Sequence, residues 1–149
     1  MRGIYWEDWE IGAEFESPAR TVTEADIVMF AALSGDYNPL HINEEYARTT
    51  QFGTRIAHGP LVYALAAGLL FQLHLYDDTL IAFLGFENLK FTKPVIAGDT
   101  IHAVIKVSEK RETSRPDRGV MKRELRVLNQ RQEVVQEAVQ AFLLKRRPA

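Results

Sequence analysis

A continuous apolar segment in the middle of the chain constrains the fold more than any other feature. From Leu61 to Phe71 no side chain is charged, and every face of a helix formed by this segment would be apolar. The tripeptide His58-Gly59-Pro60 precedes it, and proline is favoured at the first position of a helix. The segment is too short to cross a bilayer. We therefore predict a helix that begins near Gly59 and is buried on all sides by the rest of the chain.

The segments after this helix have the character of β-strands. They are separated by turn signals, and the segment from Ile101 places apolar residues at alternate positions. Short connections predict antiparallel pairing. The predicted strands are Ile81 to Thr92, Ile101 to Val107, Val120 to Leu128 and Val134 to Leu144. The sequence therefore predicts an α+β fold, an antiparallel sheet wrapped around one long central helix, as a single domain over residues 1–149. Because such a sheet usually leaves an edge or face uncovered, we expect a homodimer or a higher homo-oligomer.

The first part of the chain predicts short elements that lead to a polar loop. Residues 13–22 contain β-formers interrupted by Pro18, which is typical of an irregular strand. Thr23, followed by acidic residues, starts a helix, and Ser34-Gly35 ends it. Asn43 is expected to cap a second short helix that continues to residue 49. The buried stripe of the first helix is predicted to be Ile27, Phe30, Ala31 and Leu33.

Residues 34–41 contain side chains capable of chemistry. Gly35 permits unusual backbone angles, Asn38 precedes a proline, and Asp and Asn side chains bond their own backbone in turns. We expect an irregular loop in which Asp36 and His41, five residues apart, reach one small molecule. A carboxylate and an imidazole so placed are suited to acid/base chemistry on a bound water. The free N–H groups and dipole at the start of the apolar helix would stabilise negative charge nearby, which favours enolate chemistry.

At these residues the sequence resembles a known family. The run FAALSGDYNPLHINEEYARTTQFGTRIAHGPLVYALAAGLL is similar to the MaoC-like acyl dehydratases, the (R)-specific enoyl-CoA hydratases of the hot-dog fold. The flanking segments YWEDWEIGAEFESPARTVTEADIVMF and LGFENLKFTKPVIAGDTI resemble the same family, so the similarity covers nearly the whole chain. Its most specific part is the pattern D-x-N-P-x-H followed by I-A-H-G at a helix start.

This resemblance implies a reaction and assigns roles to residues. The implied reaction is (R)-specific hydration of 2-enoyl-CoA thioesters, or dehydration of 3-hydroxyacyl-CoA thioesters, with Asp36 and His41 as the catalytic pair that activates water. The resemblance further implies that Asn38 helps to hold the pair and that Gly59 donates a backbone N–H to the thioester oxygen. Several (R)-hydratases have a serine six residues after the histidine of the H-G pair, where this chain has Ala64.

Several other residues can be explained either by a structural role or by a functional one. His58 is expected to be satisfied by backbone at the helix start, with its imidazole near the pocket. The basic residues around the turn at 115–119 form a solvated hairpin tip, or alternatively Arg115 and Arg118 contact the phosphates of coenzyme A or an acidic acyl carrier protein. Candidates for the wall of an acyl pocket are Tyr63, Phe86 and Asn88, although core packing explains the two aromatic residues equally well.

Composition excludes several other classes of function. The chain has 18 basic and 20 acidic residues, a balance that gives no support for binding to nucleic acid or to a membrane surface. It has no cysteine, which removes disulfides, thiolate nucleophiles and cysteine metal sites. The N-terminal sequence MRGIYWEDWEIG is acidic and aromatic, unlike a signal peptide. We expect a cytoplasmic protein with no cofactor other than the coenzyme A thioester that is its substrate.

The same residues and the same fold also have alternative interpretations. Asp36, Asn38 and His41 could form a plain surface turn, because Asp, Asn and Pro are the usual turn formers. A metal site of Asp36, His41 and His58 lacks a recognised ligand spacing, so no metal is expected. Ser34 as a hydrolytic nucleophile lacks the G-x-S-x-G elbow. The alternative functions are a hot-dog acyl-CoA thioesterase, which attacks the thioester carbonyl carbon, and a non-catalytic acyl-thioester-binding subunit.

Overall fold

The computed structural model describes residues 3–149. It contains the predicted antiparallel sheet and central helix, and the α+β prediction is confirmed. No helix within residues 3–149 is both long and apolar enough to cross a membrane. The helices and strands are, in chain order, a 3-10 helix Trp6–Asp8, β1 Glu14–Glu16, β2 Arg20–Thr21, α1 Glu24–Ser34, α2 Pro39–Ile42, α3 Glu44–Ala47, α4 Gly59–Phe71, β3 Leu80–Phe91, β4 Thr100–Glu112, β5 Arg118–Leu128 and β6 Val134–Lys145.

The sheet has the strand order β1-β4-β5-β6-β3, and β2 pairs with the start of β4. Every pairing is antiparallel, as the short connections predict. Strands β4 and β5 continue to the pair Glu112 and Gly119, beyond the apolar pattern, because the backbone ladder does not require apolar side chains. The irregular first strand is divided into β1 and β2 around Pro18, which has no N–H to donate to a ladder.

Helix α4 forms the centre of the main core. One side of α4 packs against β4 and β5 through residues that are at most 5% exposed. These are Leu61, Val62, Ala66, Leu69 and Leu70 of the helix and Ile101, Ala103, Ile105, Leu125 and Val127 of the sheet. The prediction of burial on every side is wrong for the single chain, since Ala64, Gly68 and Phe71 are exposed. Their spacings of four and three residues place them on one side of the helix, which the sheet does not cover.

Strand β3 is an edge of the sheet and pairs only with β6. Register shifts interrupt this pairing at three points. Six large apolar side chains of β3 are 37–54% exposed, namely Ile81, Phe83, Leu84, Phe86, Leu89 and Phe91. The ring of Phe86 lies 4.8 Å from the ring of Tyr63 on α4. The edge strand and the open side of α4 therefore border the same exposed apolar surface.

Helix α1 begins and ends at the predicted residues. Thr23 and Asp26 form a capping box, in which the Thr23 hydroxyl accepts from the Asp26 N–H at 3.1 Å and the Asp26 carboxylate accepts from the Thr23 N–H at 2.8 Å. Gly35 ends the helix with a left-handed φ of 79°. Asn43 caps α3, as predicted. Of the predicted stripe, Ile27 and Ala31 are buried, Phe30 is partly buried and Leu33 is 85% exposed, so the prediction for Leu33 is wrong.

A second core lies toward the other end of the sheet and contains an arginine. The apolar side chains there include Trp9, Tyr76 and Phe142. The guanidinium carbon of Arg123, which is 1% exposed, lies 4.4 Å from the ring centroid of Phe142. Burial lowers the pKa of Arg123, while hydrogen bonding to the Tyr76 hydroxyl opposes that effect. The side chain of Gln140 accepts a further hydrogen bond from the guanidinium, so this charge is held by neutral groups.

Candidate active site

The segment from Asp36 to His41 is more regular than the sequence predicts. Pro39–Ile42 forms the one-turn helix α2, so His41 lies on a helix and Asp36 in the turn before it. Asn38 is the cap of this helix, because its side-chain oxygen accepts from the Leu40 N–H at 3.0 Å. The Asp36 carboxylate accepts from the Asn38 N–H at 3.2 Å. The prediction of a wholly irregular loop is wrong because the residue types that form turns also start helices.

The structure brings the side chains of Asp36 and His41 together. Oδ2 of Asp36 lies 3.9 Å from Nε2 of His41, too far for a direct hydrogen bond. Nδ1 of His41 lies 2.7 Å from the carbonyl oxygen of Ile56, which can only accept, so the proton of the neutral ring is on Nδ1. The lone pair on Nε2 therefore remains available on the side that faces Asp36. The His41 side chain is 11% exposed and that of Asp36 is 52% exposed, so solvent reaches the pair from the carboxylate side.

His58 connects this pair to the start of α4. It is the cap residue of that helix and is 1% exposed. Its Nε2 donates to the backbone carbonyl of Asp36 at 3.0 Å, so backbone satisfies one of its two ring nitrogens. Its ring stacks on His41, with ring centroids 3.8 Å apart and an interplanar angle of 28°. Among residues 3–149 the buried Nδ1 of His58 has no hydrogen-bond partner. His58 thus fixes both the Asp36 backbone and one face of the His41 ring.

Gly59 is the first residue of α4 and lies next to His58. The N–H groups of the first helical turn have no partner within the helix and are directed out of its N-terminal end. A cavity of about 370 Å³ contains both His41 and Gly59 in its wall. A side chain at Gly59 would meet the ring of Phe91, since an added Cβ would lie 2.9 Å from it. The structure therefore places His41 of the predicted acid/base pair and the predicted N–H donor around one cavity, whose wall does not include Asp36.

The side chains of Asp36, His41 and His58 also form a possible metal-ligand cluster. One donor atom each from Asp36, His41 and His58 lies within 4.8 Å of the others. The lone pair of an imidazole nitrogen lies in the plane of the ring. Because the rings of His41 and His58 are stacked, their lone pairs run side by side and do not converge on a single metal position. One ring nitrogen of each histidine is also hydrogen-bonded to a backbone carbonyl. The arrangement favours organic acid/base chemistry, and the expectation of no metal stays a prediction.

The basic residues predicted to contact phosphate are not brought to this cavity. Arg115 lies in the β4–β5 connection, and Arg118 pairs in register with Lys145 at the far end of β6. Gln136, near the other end of β6, lines the cavity. The two positions are nine residues apart, or roughly 30 Å along a strand. The Arg118 guanidinium also forms two 2.8 Å hydrogen bonds with the adjacent Asp117 carboxylate. Within one chain, these arginines do not line the candidate site.

The predicted pocket residues are divided between different surfaces. The Tyr63 hydroxyl accepts from Nε2 of Gln140 at 3.0 Å, and the ring meets Phe86 edge-on. Asn88, with a φ of 54°, lies where the β3 ladder is interrupted and lines a separate depression on the sheet. Ala64 is on the exposed side of α4. None of these lies in the wall of the cavity that contains His41 and Gly59.

Sequence reasoning missed several residues of the cavity wall. Gln136 is 3% exposed and donates from Nε2 to the carbonyl of Gly59 at 2.7 Å. Lys93 also lines the cavity, with Nζ 2.5 Å from a carboxylate oxygen of Glu133. Gln136 could have been found from the sequence, because it is a polar residue at an inward-facing position of a strand in which apolar residues alternate. Lys93 gave no signal, because it lies in the connection after β3 whose path is set by tertiary packing.

Comparison with known proteins identifies relatives along most of the chain. The family model described as MaoC like domain matches residues 8–128. An (R)-specific enoyl-CoA hydratase from Rhodospirillum rubrum is 43% identical over 104 residues, which are 70% of this chain and 69% of that protein. Protein MaoC from Klebsiella aerogenes is 40% identical over 115 residues. The match covers 77% of this chain but only 33% of protein MaoC, so this chain spans about a third of that relative.

A solved structure extends the similarity over the whole fold. The structure described as monoamine oxidase regulatory protein from Archaeoglobus fulgidus has a TM-score of 0.93 and 40% sequence identity, covering 99% of this chain and 98% of that one. With one antiparallel sheet packed on a long helix, the present protein has the hot-dog fold found in MaoC-like dehydratases. Because the family model matches most of the chain, the protein can be assigned to a family as well as to a fold. The chain belongs to the family of MaoC-like domains.

Proposed function

We propose that this protein catalyses the reversible, (R)-specific hydration of a trans-2-enoyl thioester to a 3-hydroxyacyl thioester. The observation that supports this reaction is that His41, whose Nε2 lies 3.9 Å from Oδ2 of Asp36, shares a cavity with Gly59 at the start of α4. The relatives named as an (R)-specific enoyl-CoA hydratase and a 3-hydroxybutyryl-CoA dehydratase, at 43% and 36% identity, support the same chemistry. Hydration is not a redox reaction, so the proposed enzyme needs only its thioester substrate and water.

The proposed mechanism uses Asp36 and His41 as one unit. A water bound between Oδ2 of Asp36 and Nε2 of His41 would bridge a separation of 3.9 Å that the two groups cannot close directly. As its oxygen attacks C3 of the enoyl group, the water loses one proton to the pair. A proton from the pair is delivered to C2, so the elements of water are added across the double bond. General acid/base catalysis of this kind contributes about 10²- to 10⁴-fold.

Negative charge develops on the thioester oxygen as C3 is attacked. We assign the stabilisation of that charge to the Gly59 N–H, which belongs to the first residue of α4, at the positive end of the helix dipole. Removal of one such donor costs about 10²- to 10³-fold in other enzymes. Neither acid/base catalysis nor stabilisation of the thioester oxygen alone accounts for a typical enzymatic acceleration of at least about 10⁶-fold. We therefore infer that both act on the same substrate.

We further propose that the protein is at least a homodimer, joined through β3 and the open side of α4. Burial of the exposed apolar residues of β3 would remove both an unpaired sheet edge and an apolar patch from water. Light scattering should then give at least twice the chain mass of 17.0 kDa. Leu84→Lys, at a 51% exposed position of β3, should shift the mass toward the monomer, whereas Ile11→Lys, 66% exposed elsewhere, should not. A wild-type mass of one chain would contradict the proposal.

The test of the proposed reaction is the absorbance of the conjugated enoyl-thioester group of crotonyl-CoA. Loss of this absorbance with the purified protein would establish hydration, and chiral analysis of the product should give the (R)-alcohol. Release of free coenzyme A thiol without loss of the enoyl group would instead identify a thioesterase. If neither change occurs across a series of acyl chain lengths, on coenzyme A and on acyl carrier protein, the hydratase proposal is wrong and binding without catalysis is favoured.

A further inference from the structure

Two glutamine side chains of β6 contact the first two turns of α4. Nε2 of Gln136 donates to the carbonyl of Gly59 at 2.7 Å, and Nε2 of Gln140 donates to the Tyr63 hydroxyl at 3.0 Å. Gln136 is 3% exposed and Gln140 is fully buried. Both belong to an internal strand, since β6 lies between β5 and β3 in the sheet. Gln136 therefore holds the first residue of α4, whereas Gln140 bonds only a side chain one turn further along the helix.

The two glutamines differ in how well their amide groups are satisfied. Oε1 of Gln140 accepts from Nε of Arg123 at 2.8 Å, so both ends of that amide are paired. A carbonyl can only accept, so the amide nitrogen of Gln136 must face Gly59 and Oε1 must face away. Within residues 3–149, Oε1 of Gln136 is buried without a hydrogen-bond partner. Leaving a buried acceptor unpaired costs folding free energy.

Stability alone does not account for Gln136. In a helix that begins at Gly59, the carbonyl of that residue also accepts from the N–H four residues later, so loss of the Gln136 amide would not leave it unpaired. A methionine of similar shape would fill the same space and remove the unpaired acceptor. Gln136 does lie at the proposed site, because it shares the cavity with His41 and Gly59 and pairs in register with Phe91.

We propose that Gln136 is a positioning residue that fixes Gly59 so that its N–H is directed at the thioester oxygen. This inference rests on the proposed function. A helix end frays more easily than its middle, and glycine has no side chain to anchor it. The Gln136 amide supplies that anchor from the sheet. Because a displacement of about 1 Å can cost 10²-fold in rate, a hydrogen bond that fixes the donor has a kinetic effect even when its effect on stability is small.

The test compares Gln136→Met with Gln140→Met, two identical substitutions on one face of one strand. Gln136→Met should lower kcat for crotonyl-CoA hydration about ten-fold, with KM changed less than about two-fold and Tm unchanged or higher. Gln140→Met deprives the buried Arg123 of an acceptor, so it should lower Tm by roughly 4–9 °C while kcat at a permissive temperature changes less than about two-fold. A purely structural role for Gln136 predicts the opposite pattern, a lower Tm with a preserved kcat.

A third variant tests the hydrogen bond itself. In Gln136→Glu, a protonated carboxyl can donate to the Gly59 carbonyl, whereas the ionised carboxylate cannot. The ratio of its kcat to the wild-type kcat should therefore rise as pH falls, while the same ratio for Gln136→Met stays flat. If the wild-type protein hydrates the thioester and Gln136→Met has the same kcat, the inference is overturned and the proposed function is left intact. An absence of wild-type turnover on every thioester tested would instead overturn the proposed function on which the inference rests.

Discussion

Asp36→Asn should reduce kcat for hydration of an enoyl-CoA by about 10²- to 10⁴-fold. An amide cannot take a proton from water, so the substitution removes the carboxylate from the acid/base pair. The side-chain oxygen of asparagine can still accept from the Asn38 N–H, which Asp36 now does at 3.2 Å, so the turn before α2 should be kept. The initial rate of loss of enoyl absorbance measures the effect, with circular dichroism to verify the fold.

His41→Ala should have an effect of similar size, and the double variant should be little worse than either single one. Side chains that act as one unit show strongly non-additive losses. Asp78→Asn is a matched control for loss of one carboxylate, because Asp78 is exposed and its φ of 61° is well tolerated by asparagine. Near-normal turnover in either Asp36→Asn or His41→Ala would contradict the assigned pair.

Gly59→Pro should lower kcat by about 10²- to 10³-fold, because proline removes the backbone N–H assigned to the thioester oxygen. The local backbone accepts proline. Gly59 is the first residue of α4, and the preceding His58 has φ −61° and ψ 135°, the extended conformation that a residue before proline prefers. The helix should therefore form in the variant, so that a loss of rate reports on the missing donor.

Gly59→Ala is the control for the added side chain, since it retains the N–H and introduces the same contact with Phe91. Because the alanine variant keeps the N–H, we expect it to be affected much less than the proline variant, with the Phe91 ring, 54% exposed in the single chain, adjusting to the added methyl group. Steady-state kinetics on both, at matched thermal stability, separates the two causes. Equal losses of kcat would show that crowding, and not the N–H, is responsible.

Much of the fold is determined by short-range patterns. Thr23 and Gly35 fix the ends of α1 because capping and left-handed backbone are properties of single residues and their neighbours. The strands β3 to β6 follow from alternation and turn residues. The one-turn helix α2 was missed because Asn38 before proline suits both a turn and a helix start, and only the hydrogen bond to Leu40 distinguishes them.

The residues of the candidate site were predictable in part, but their arrangement in space was not. The sequence places Asp36 and His41 in one short segment, with Gly59 at the start of the next long helix, and the resemblance to MaoC-like proteins gives all three a role. That His41, beside Asp36, shares a cavity with Gly59 depends on how α2, α4 and the end of β3 pack together. The phosphate hypothesis for Arg115 and Arg118 stays a prediction, and charge composition could not reveal that Arg118 lies at the end of the sheet away from the cavity.

By itself, the sequence determined the central helix and the antiparallel strands, because each follows from interactions between residues close in the chain. The acid/base role of Asp36 and His41 is a prediction that the sequence supports through its resemblance to MaoC-like proteins. Only the tertiary structure decided that the His41 ring is held by the carbonyl of Ile56 and stacked on His58, and that Gln136 of the last strand reaches Gly59. It also decided which side of α4 stays open, since the sheet covers one side of an all-apolar helix. Contacts between residues up to 77 positions apart depend on the relative placement of whole elements, which no local pattern encodes.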